Sequence, residues 1–400
     1  MIAQVQKFQR IIQWLIVVKV SYMAILCFAL ELWPDEEDFD QAMRWPREGT
    51  PLFTSHLATW DGAHYLYLSE VGYEKGAPSC AFYPLWPLAI RACSVLTGGS
   101  HLVAGLVLAN VFALGAWCIF YDITVRRFGE TVASWALVLL IAFPGSLFYQ
   151  FIYSESLFLL LAMLLWLGME RNCYPLAWIA AFLLPLTRGV GVFSVLPIGW
   201  HWLMRRRWNW LDRWRWLGRE RQRMRSDRFG HRLGARWAST ALLVAPVLGW
   251  VMYLGLMWMW TGNSFEGIEA QKYWDVHSVR NLWNLPKFGI GLFEATAFHE
   301  FRGSVLDRCL FMLVLYCVPV IWQLGKDMVV WTYVLGILPA MSGTFTSFTR
   351  FESCLFPLFI ALAAFFTSLK RSWPLWTFVG MSAVLHVILL WRFVNFRWAG

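Results

Sequence analysis

The chain has 400 residues, of which 58% are hydrophobic and only 15% charged, and its mean hydropathy is +0.50. Soluble domains carry about 25% charged residues, so the composition excludes a soluble globular protein and predicts an all-α polytopic membrane protein. The net charge of +9 does not indicate nucleic-acid binding, because residues 201–237 account for all of it, with twelve arginines and three acids. We expect no nucleic-acid partner, and we interpret this Arg/Trp-rich segment as a cytoplasmic loop on anionic membrane lipids.

The first span is predicted at residues 11–33. Lys7 and Arg10 precede it, whereas residues 31–48 carry seven acids and two arginines. Because basic residues favour the cytoplasmic side, the N-terminus is expected inside and the acidic segment outside. The span has no small-residue cleavage site, so we interpret it as a retained anchor.

Residues 34–100 are predicted to form a long first external loop that carries amphipathic helices. Within this loop, residues 81–98 are apolar but contain Pro84, Pro87 and Arg91. A helix needs about 20 apolar residues to cross a bilayer. We therefore expect this stretch to lie in the membrane interface.

The apolar run at residues 175–200 decides the topology. As one span it would leave the Arg-rich loop outside, against the charge rule. A break at residues 187–191, Thr-Arg-Gly-Val-Gly, divides the run into two short helices and keeps the loop inside. Short helices are tolerated where the break faces protein or a water-filled cavity. The break places Arg188 on the outer side, together with Asp61.

The remaining spans complete a bundle of about eleven helices in one domain, residues 1–400. They are predicted at residues 101–121, 132–149, 155–169, 238–260, 305–325, 328–345, 354–369 and 375–394, with a further external loop at 261–303. In an alternative topology, residues 81–98 span the membrane and residues 175–200 form one helix. That alternative places Glu155 on the face opposite Asp61.

The stretch from Trp60 to Tyr73 in the first external loop combines a carboxylate, an imidazole and several aromatic rings. On a helix, Asp61, His64, Tyr65 and Leu68 share one face. An acid and a histidine beside aromatic side chains at a membrane surface indicate proton transfer near a lipid-borne substrate. The alternative is an interfacial amphipathic helix with solvated polar tips.

Several ionisable residues are predicted to gather on the outer face. They are Asp61, His64, Glu155, Arg188, Lys272 and Arg350. Charged groups within membrane spans are costly and mark functional sites. Cations beside one carboxylate suit group transfer from a lipid phosphate, because the cations hold the departing phosphate and the carboxylate removes a proton from the attacking hydroxyl. Inverting glycosyl transfer needs such a base and no enzyme nucleophile.

Five sequence blocks occur in a fixed order along the chain. They are Trp60-Asp61-Gly62-Ala63-His64-Tyr65 with Gly72-Tyr73, Phe82-Tyr83-Pro84-Leu85-Trp86-Pro87, Phe143-Pro144-Gly145-Ser146 to Tyr153-Ser154-Glu155-Ser156-Leu157-Phe158, Thr187-Arg188-Gly189-Val190-Gly191, and Arg350 to Phe356-Pro357. Together they resemble the GPI mannosyltransferase 2 (PIG-V) family. The resemblance implies a GT-C fold, a polyprenyl-phosphate sugar donor and a catalytic Asp in the first external loop. Asp61 is then the base and Arg188 a phosphate contact.

The expected function is inverting transfer of a sugar, with mannose favoured, from a polyprenyl(dolichyl)-phosphate sugar to a lipid-linked, protein or glycan acceptor on the non-cytoplasmic face. A bacterial inner membrane is expected rather than the endoplasmic reticulum, because the resemblance does not specify a GPI acceptor. It also implies a small membrane accessory subunit as a partner of some family members. No cofactor is expected, since lipid-monophosphate sugar donors need no metal. A lipid or sugar-lipid transporter is the alternative function.

The predicted site has catalytic residues Asp61 and His64 and substrate-binding residues Arg188, Glu155, Arg350, Lys272 and Tyr65. Structural roles are open for several of them: Asp61 and Glu155 as caps of the helices that follow, His64 as a packing residue, Arg188 as a partner of Glu155, and Arg350 and Lys272 as topology anchors. Asp38-Phe39-Asp40 matches the metal-binding DxD pattern, but in so acidic a run we interpret it as a solvated loop.

Overall fold

A computed structural model describes residues 2–32, 44–46, 53–204, 239–274, 284–342 and 345–400. Within these ranges the chain is helical and no β-strand is formed, which confirms the all-α prediction. Asp38 and Asp40 lie outside the described residues, as does the Arg/Trp-rich segment beyond Met204.

The α-helices are numbered here in chain order. They are α1 (Ile2–Leu32), α2 (Asp61–Glu70), α3 (Leu85–Ser94), α4 (His101–Phe128), α5 (Glu130–Ala142), α6 (Glu155–Glu170), α7 (Tyr174–Thr187), α8 (Gly189–Met204, beginning with the 3-10 helix Gly189–Ser194), α9 (Ala245–Thr261), α10 (Glu266–Glu269), α11 (Leu285–Phe293), α12 (Val305–Leu324), α13 (Lys326–Thr332), α14 (Phe348–Ser353), α15 (Phe356–Ser368) and α16 (Trp373–Val394). Short 3-10 helices include Phe53–Leu57, Pro78–Ala81, Pro144–Tyr149 and Ala270–Tyr273.

Four described helices are long and apolar enough to cross a membrane: Gln9–Leu32 within α1, and α4, α12 and α16. They indicate a multi-pass membrane protein. The other apolar helices, among them α5, α7, α8 and α15, are shorter, and such short helices are tolerated where their ends meet protein.

The predicted break in the run 175–200 is present. Helix α7 ends at Thr187, and Arg188 adopts an extended backbone conformation with φ −155° and ψ 141°. The chain then re-enters a helix at Gly189. Gly191 makes the fold-back possible, because a Cβ there would come within 2.4 Å of the carbonyl carbon of Leu184.

Small residues bring the central helices close together. A Cβ on Gly168 of α6 would lie 2.8 Å from the backbone nitrogen of Ala177 in α7, and one on Gly249 of α9 would overlap the carbonyl oxygen of Phe182. Close backbone approach of this kind stabilises helix packing in membranes, where the hydrophobic effect drives no association between helices. The Gly168 contact lies at the end of α6 and the start of α7, and from this junction the two helices run to Glu155, the first residue of α6, and Arg188, the residue after α7.

Candidate functional site

Helix α2 presents Asp61 as its first residue. The capping position is Trp60, whose backbone is in an unusual region (φ 54°, ψ −122°), and no side chain caps the helix. The interpretation of Asp61 as a helix cap is therefore wrong. Its carboxylate instead accepts a hydrogen bond from Arg350, with 2.5 Å between Nη1 and Oδ2.

The guanidinium of Arg350 links Asp61 to a second carboxylate. Its Nε donates to Oε1 of Glu155 at 2.8 Å, and Nη1 of Arg188 donates to the same oxygen at 2.5 Å. The result is a chain of alternating charges, Asp61–Arg350–Glu155–Arg188. All four residues are buried, with at most 8% of each exposed. Buried charges are tolerated when they are paired and hydrogen-bonded, and these pairs satisfy that condition.

This charge chain decides between the two predicted topologies. One guanidinium, that of Arg350, contacts both Asp61 and Glu155, so the two carboxylates lie at the same end of the bundle. The alternative topology, with Glu155 opposite Asp61 and residues 175–200 as one helix, is therefore wrong.

Aromatic rings enclose both arginines. The guanidinium carbon of Arg188 lies 4.5 Å from the ring centroid of Phe351, and that of Arg350 lies 5.0 Å from the ring of Tyr153. Cation–π contacts strengthen when the cation is desolvated. The second carboxylate oxygen of Glu155, Oε2, is buried and has no hydrogen-bond partner among the described residues.

The environment makes Asp61 a stronger base than an exposed aspartate. Burial raises the pKa of Asp61 above its ordinary value; Arg350 opposes this shift, and Glu155 adds to it. Burial alone lowers the pKa of Arg350, yet the carboxylates of Asp61 and Glu155 raise it well above its ordinary value. Arg350 therefore stays charged, while Asp61 can take up a proton.

Tyr65 lies beside the charge chain. Its hydroxyl donates to Oγ of Ser154 at 3.0 Å, one residue before Glu155. Like Asp61, it is buried, in keeping with the helical face predicted for this stretch.

His64 and Lys272 have other surroundings. Nδ1 of His64 hydrogen-bonds to Oγ of Ser79 at 2.7 Å, and its ring stacks on Phe82 and meets Trp274 edge-on. Lys272 is exposed, with its ammonium 5.0 Å from the ring centroid of Tyr273. His64 thus packs under the 270–274 segment, and the structure does not bring Lys272 into the charge chain.

Two residues that support the site were missed by the sequence reasoning: Asp307 and Thr349. Asp307 lies in the first turn of α12 and accepts two hydrogen bonds from Thr349, the neighbour of Arg350. A carboxylate at the start of an apolar span was a usable signal, because such residues are costly in membranes.

One cavity among the described residues lies away from the charge chain. Its volume is about 260 Å³, and its lining includes Trp166, Glu170, Trp200 and Asp327. None of the predicted site residues lines it. No group of three or more His, Cys, Asp or Glu residues with metal-binding geometry occurs in the part of the chain that the structure describes.

Comparison with known proteins gives one family match. Residues 47–226 match the family described as mannosyltransferase (PIG-V). No curated protein matches the chain.

Two solved structures have some similarity to the chain. One is the crystal structure of the Archaeoglobus fulgidus oligosaccharyltransferase tethered to an acceptor peptide containing the NVT sequon, with 13% identity, a TM-score of 0.47, and coverage of 97% of this chain and 55% of that one. The other is the oligosaccharyltransferase AglB from the same archaeon with an inhibitory peptide and a dolichol-phosphate, with 12% identity, a TM-score of 0.41 and coverage of 86% and 51%. The chain spans about half the length of either oligosaccharyltransferase.

Three of the four charge-chain residues, Asp61, Glu155 and Arg188, fall inside the family match. The family match confirms the resemblance to the mannosyltransferase (PIG-V) family over residues 47–226, and it supports glycosyltransferase activity.

Proposed function

We propose that this protein is an inverting glycosyltransferase that moves a sugar, with mannose favoured by the family match, from a polyprenyl-phosphate donor to a hydroxyl acceptor. The observation that carries the proposal is the buried charge chain, in which a carboxylate of raised pKa lies beside two guanidinium groups. A base and a phosphate-binding pair are the parts that this reaction requires.

Asp61 is the better candidate for the base. Its carboxylate is paired with one guanidinium, whereas Oε1 of Glu155 contacts those of both Arg350 and Arg188. Each neighbouring cation favours the ionised form of a carboxylate and weakens it as a base. Asp61 would take the proton of the acceptor hydroxyl while the hydroxyl oxygen attacks the anomeric carbon from the face opposite the leaving group.

Arg188 and Arg350 would bind the donor phosphate. As the bond between the anomeric carbon and the phosphate oxygen breaks, the electron pair stays on the phosphate, and planar guanidinium groups can hold its oxygens in pairs. In the structure Glu155 pairs with both arginines. Donor phosphate would compete with Glu155 for the two arginines, so Glu155 is the anion that the phosphate would replace.

The site is assigned to the non-cytoplasmic face, because the acidic segment 31–48 and the +9 segment 201–237 set opposite sides by the charge rule. The acceptor is a lipid-linked, protein or glycan hydroxyl, and the host membrane is the bacterial inner membrane. In this proposal His64 and Tyr65 shape the part of the site that binds the acceptor, and Lys272 lies at the rim of the site. The proposed partners include a small membrane accessory subunit.

The test compares Asp61→Asn with Glu155→Gln in purified protein supplied with a polyprenyl-phosphate sugar and a sugar acceptor. Loss of a general base costs about 10²–10⁴ in rate, so Asp61→Asn is expected to bind donor and to lose transfer by that factor. Glu155→Gln is expected to change donor binding more than the rate of the bound complex. Equal turnover of Asp61→Asn and wild type would refute Asp61 as the base, and donor movement between leaflets without transfer would favour the transporter alternative.

A further inference from the structure

Asp307 is a buried carboxylate that the proposed reaction does not use. It is 0% exposed, and its Oδ1 accepts hydrogen bonds from the backbone nitrogen of Thr349 at 2.8 Å and from the hydroxyl of Thr349 at 2.5 Å. The backbone nitrogen of Asp307 in turn bonds to Oγ of Ser304. The carboxylate thus holds the first turn of α14, the short helix that carries Arg350.

Gly145 lies against the carbonyl group of the same residue, Thr349. A Cβ at Gly145 would come within 2.0 Å of the carbonyl oxygen of Thr349 and 3.4 Å of the backbone nitrogen of Arg350. Since the overlapping atoms are backbone, no side-chain movement relieves it. The contact gives a physical reason for the glycine in the Phe143-Pro144-Gly145 block.

The geometry points to a clamp: we propose that Asp307, through the nitrogen and hydroxyl of Thr349, and Gly145, at the carbonyl of Thr349, fix the backbone of the residue before Arg350. Both are then positioning residues of the transfer reaction, acting through Arg350 without touching substrate. This inference rests on the proposed function for its kinetic consequence. A geometry error of about 1 Å in a catalytic group can cost about 100-fold in rate, and Arg350 must reach Asp61 and Glu155 at once.

Loosening the clamp has a distinctive electrostatic effect. The charged groups that act on Asp61 are Arg350, Glu155 and Arg188, and the titratable hydroxyls of Tyr65 and Tyr153 also face it. Arg350 has the largest effect in favour of the ionised form of Asp61. If Arg350 withdraws, Asp61 holds its proton more tightly, and the acidic limb of the pH profile of kcat/KM moves to higher pH. A substitution that only destabilises the fold lowers the amount of active enzyme and leaves this limb in place.

The experiment uses Thr349→Val, which removes the hydroxyl and keeps the backbone nitrogen, together with Gly145→Ala, Asp307→Asn and the conservative Thr349→Ser. The matched control is Thr332→Val, because Thr332 is equally buried and its hydroxyl donates to the carbonyl of Met328 at 2.8 Å. Two readouts are taken on the full chain in lipid nanodiscs: kcat/KM as a function of pH, and amide hydrogen exchange in residues 347–353.

The expected results are faster exchange in residues 347–353 for Thr349→Val, Gly145→Ala and Asp307→Asn, with an acidic limb raised by up to about one pH unit. Thr349→Ser and Thr332→Val should behave as wild type. Wild-type exchange and an unmoved limb in both Thr349→Val and Gly145→Ala overturn the clamp. If wild type transfers no sugar, the proposed function fails, while the exchange measurement still tests the clamp.

Discussion

Replacing Arg350 by glutamine tests the centre of the charge chain. The substitution removes the only positive charge that contacts both Asp61 and Glu155, at 2.5 Å and 2.8 Å, within the part of the chain that the structure describes. Removing one partner of a buried ion pair costs about 3–5 kcal/mol. Here two buried carboxylates lose a cation, so we expect a cost in that range while both stay ionised.

The cost should depend on pH. Arg350 favours the ionised form of Asp61, so its loss raises further a pKa that burial has already raised. A carboxyl group whose pKa is higher in the folded protein than in the unfolded chain contributes stability at low pH and loses it as the pH rises through the folded pKa. The stability deficit of Arg350→Gln relative to wild type should therefore be smaller at about pH 5 than at about pH 8.

Thermal unfolding followed by tryptophan fluorescence, in detergent at both pH values, measures this difference. Arg350→Lys is the matched control, because lysine keeps the positive charge and lacks the planar guanidinium group that forms paired hydrogen bonds. Its thermal stability should therefore lie between those of wild type and Arg350→Gln. The acidic limb of the activity profile should shift upward in Arg350→Gln. Equal stability of wild type and Arg350→Gln at both pH values would refute the reasoning, since the pairs would then contribute nothing.

Two further predictions concern phosphate binding and topology. Arg188→Ala should abolish binding of a polyprenyl-phosphate sugar by protein that still inserts into the membrane. Arg188→Lys should weaken this binding moderately, because an ammonium group cannot bind two phosphate oxygens in the bidentate geometry of a guanidinium group. Unchanged binding in Arg188→Ala would leave Arg188 as a structural partner of Glu155. Single cysteines can be placed at the exposed positions Lys75 and Lys370 in a cysteine-free background. A cysteine at position 75 should label from outside, and one at position 370 only after permeabilisation. Labelling of both from one side would overturn the assigned faces.

The charge rule and the parity of the spans were sufficient to predict the bend that makes the site. The run 175–200 contains no charged residue other than Arg188, and its break was inferred because an unbroken helix would have left the Arg-rich loop outside. The structure has the break at Arg188. It also joins Asp61, Glu155, Arg188 and Arg350 in one chain of contacts, as their predicted placement on one face requires.

The pairing within that face was not predictable from the sequence. The sequence analysis predicts both Arg350 and Lys272 as substrate-binding cations in outer segments, and only their packing in the structure distinguishes them. Arg350 is buried between two carboxylates, while Lys272 is exposed. His64 shares a helical face with Asp61, yet its neighbours lie outside that helix: Ser79 and Phe82 follow it in the chain, and Trp274 comes from a segment distant in sequence. Helical periodicity predicts which residues share a face of the helix, but the residues that pack against that face are determined by tertiary contacts.

Charge balance links the resting site to the proposed reaction. The four residues of the charge chain sum to zero when all are ionised, with two carboxylates and two guanidinium groups. A polyprenyl-phosphate sugar brings one negative charge, and the departing phosphate carries a second once the bond to the sugar breaks. If Asp61 accepts the acceptor's proton in the same step, it loses one negative charge as the phosphate gains one, so the net charge of the buried site is unchanged.

Arg350 is placed to follow that exchange. In the resting site its Nη1 is bound to Asp61, and a neutral carboxylic acid holds a guanidinium far less strongly than a carboxylate does. As Asp61 takes up the proton, the pairing of Arg350 can pass to the leaving phosphate with little movement of either group. In the proposed reaction, the base and the leaving-group stabiliser, which share one hydrogen bond in the structure, thus become available together when the transition state requires both.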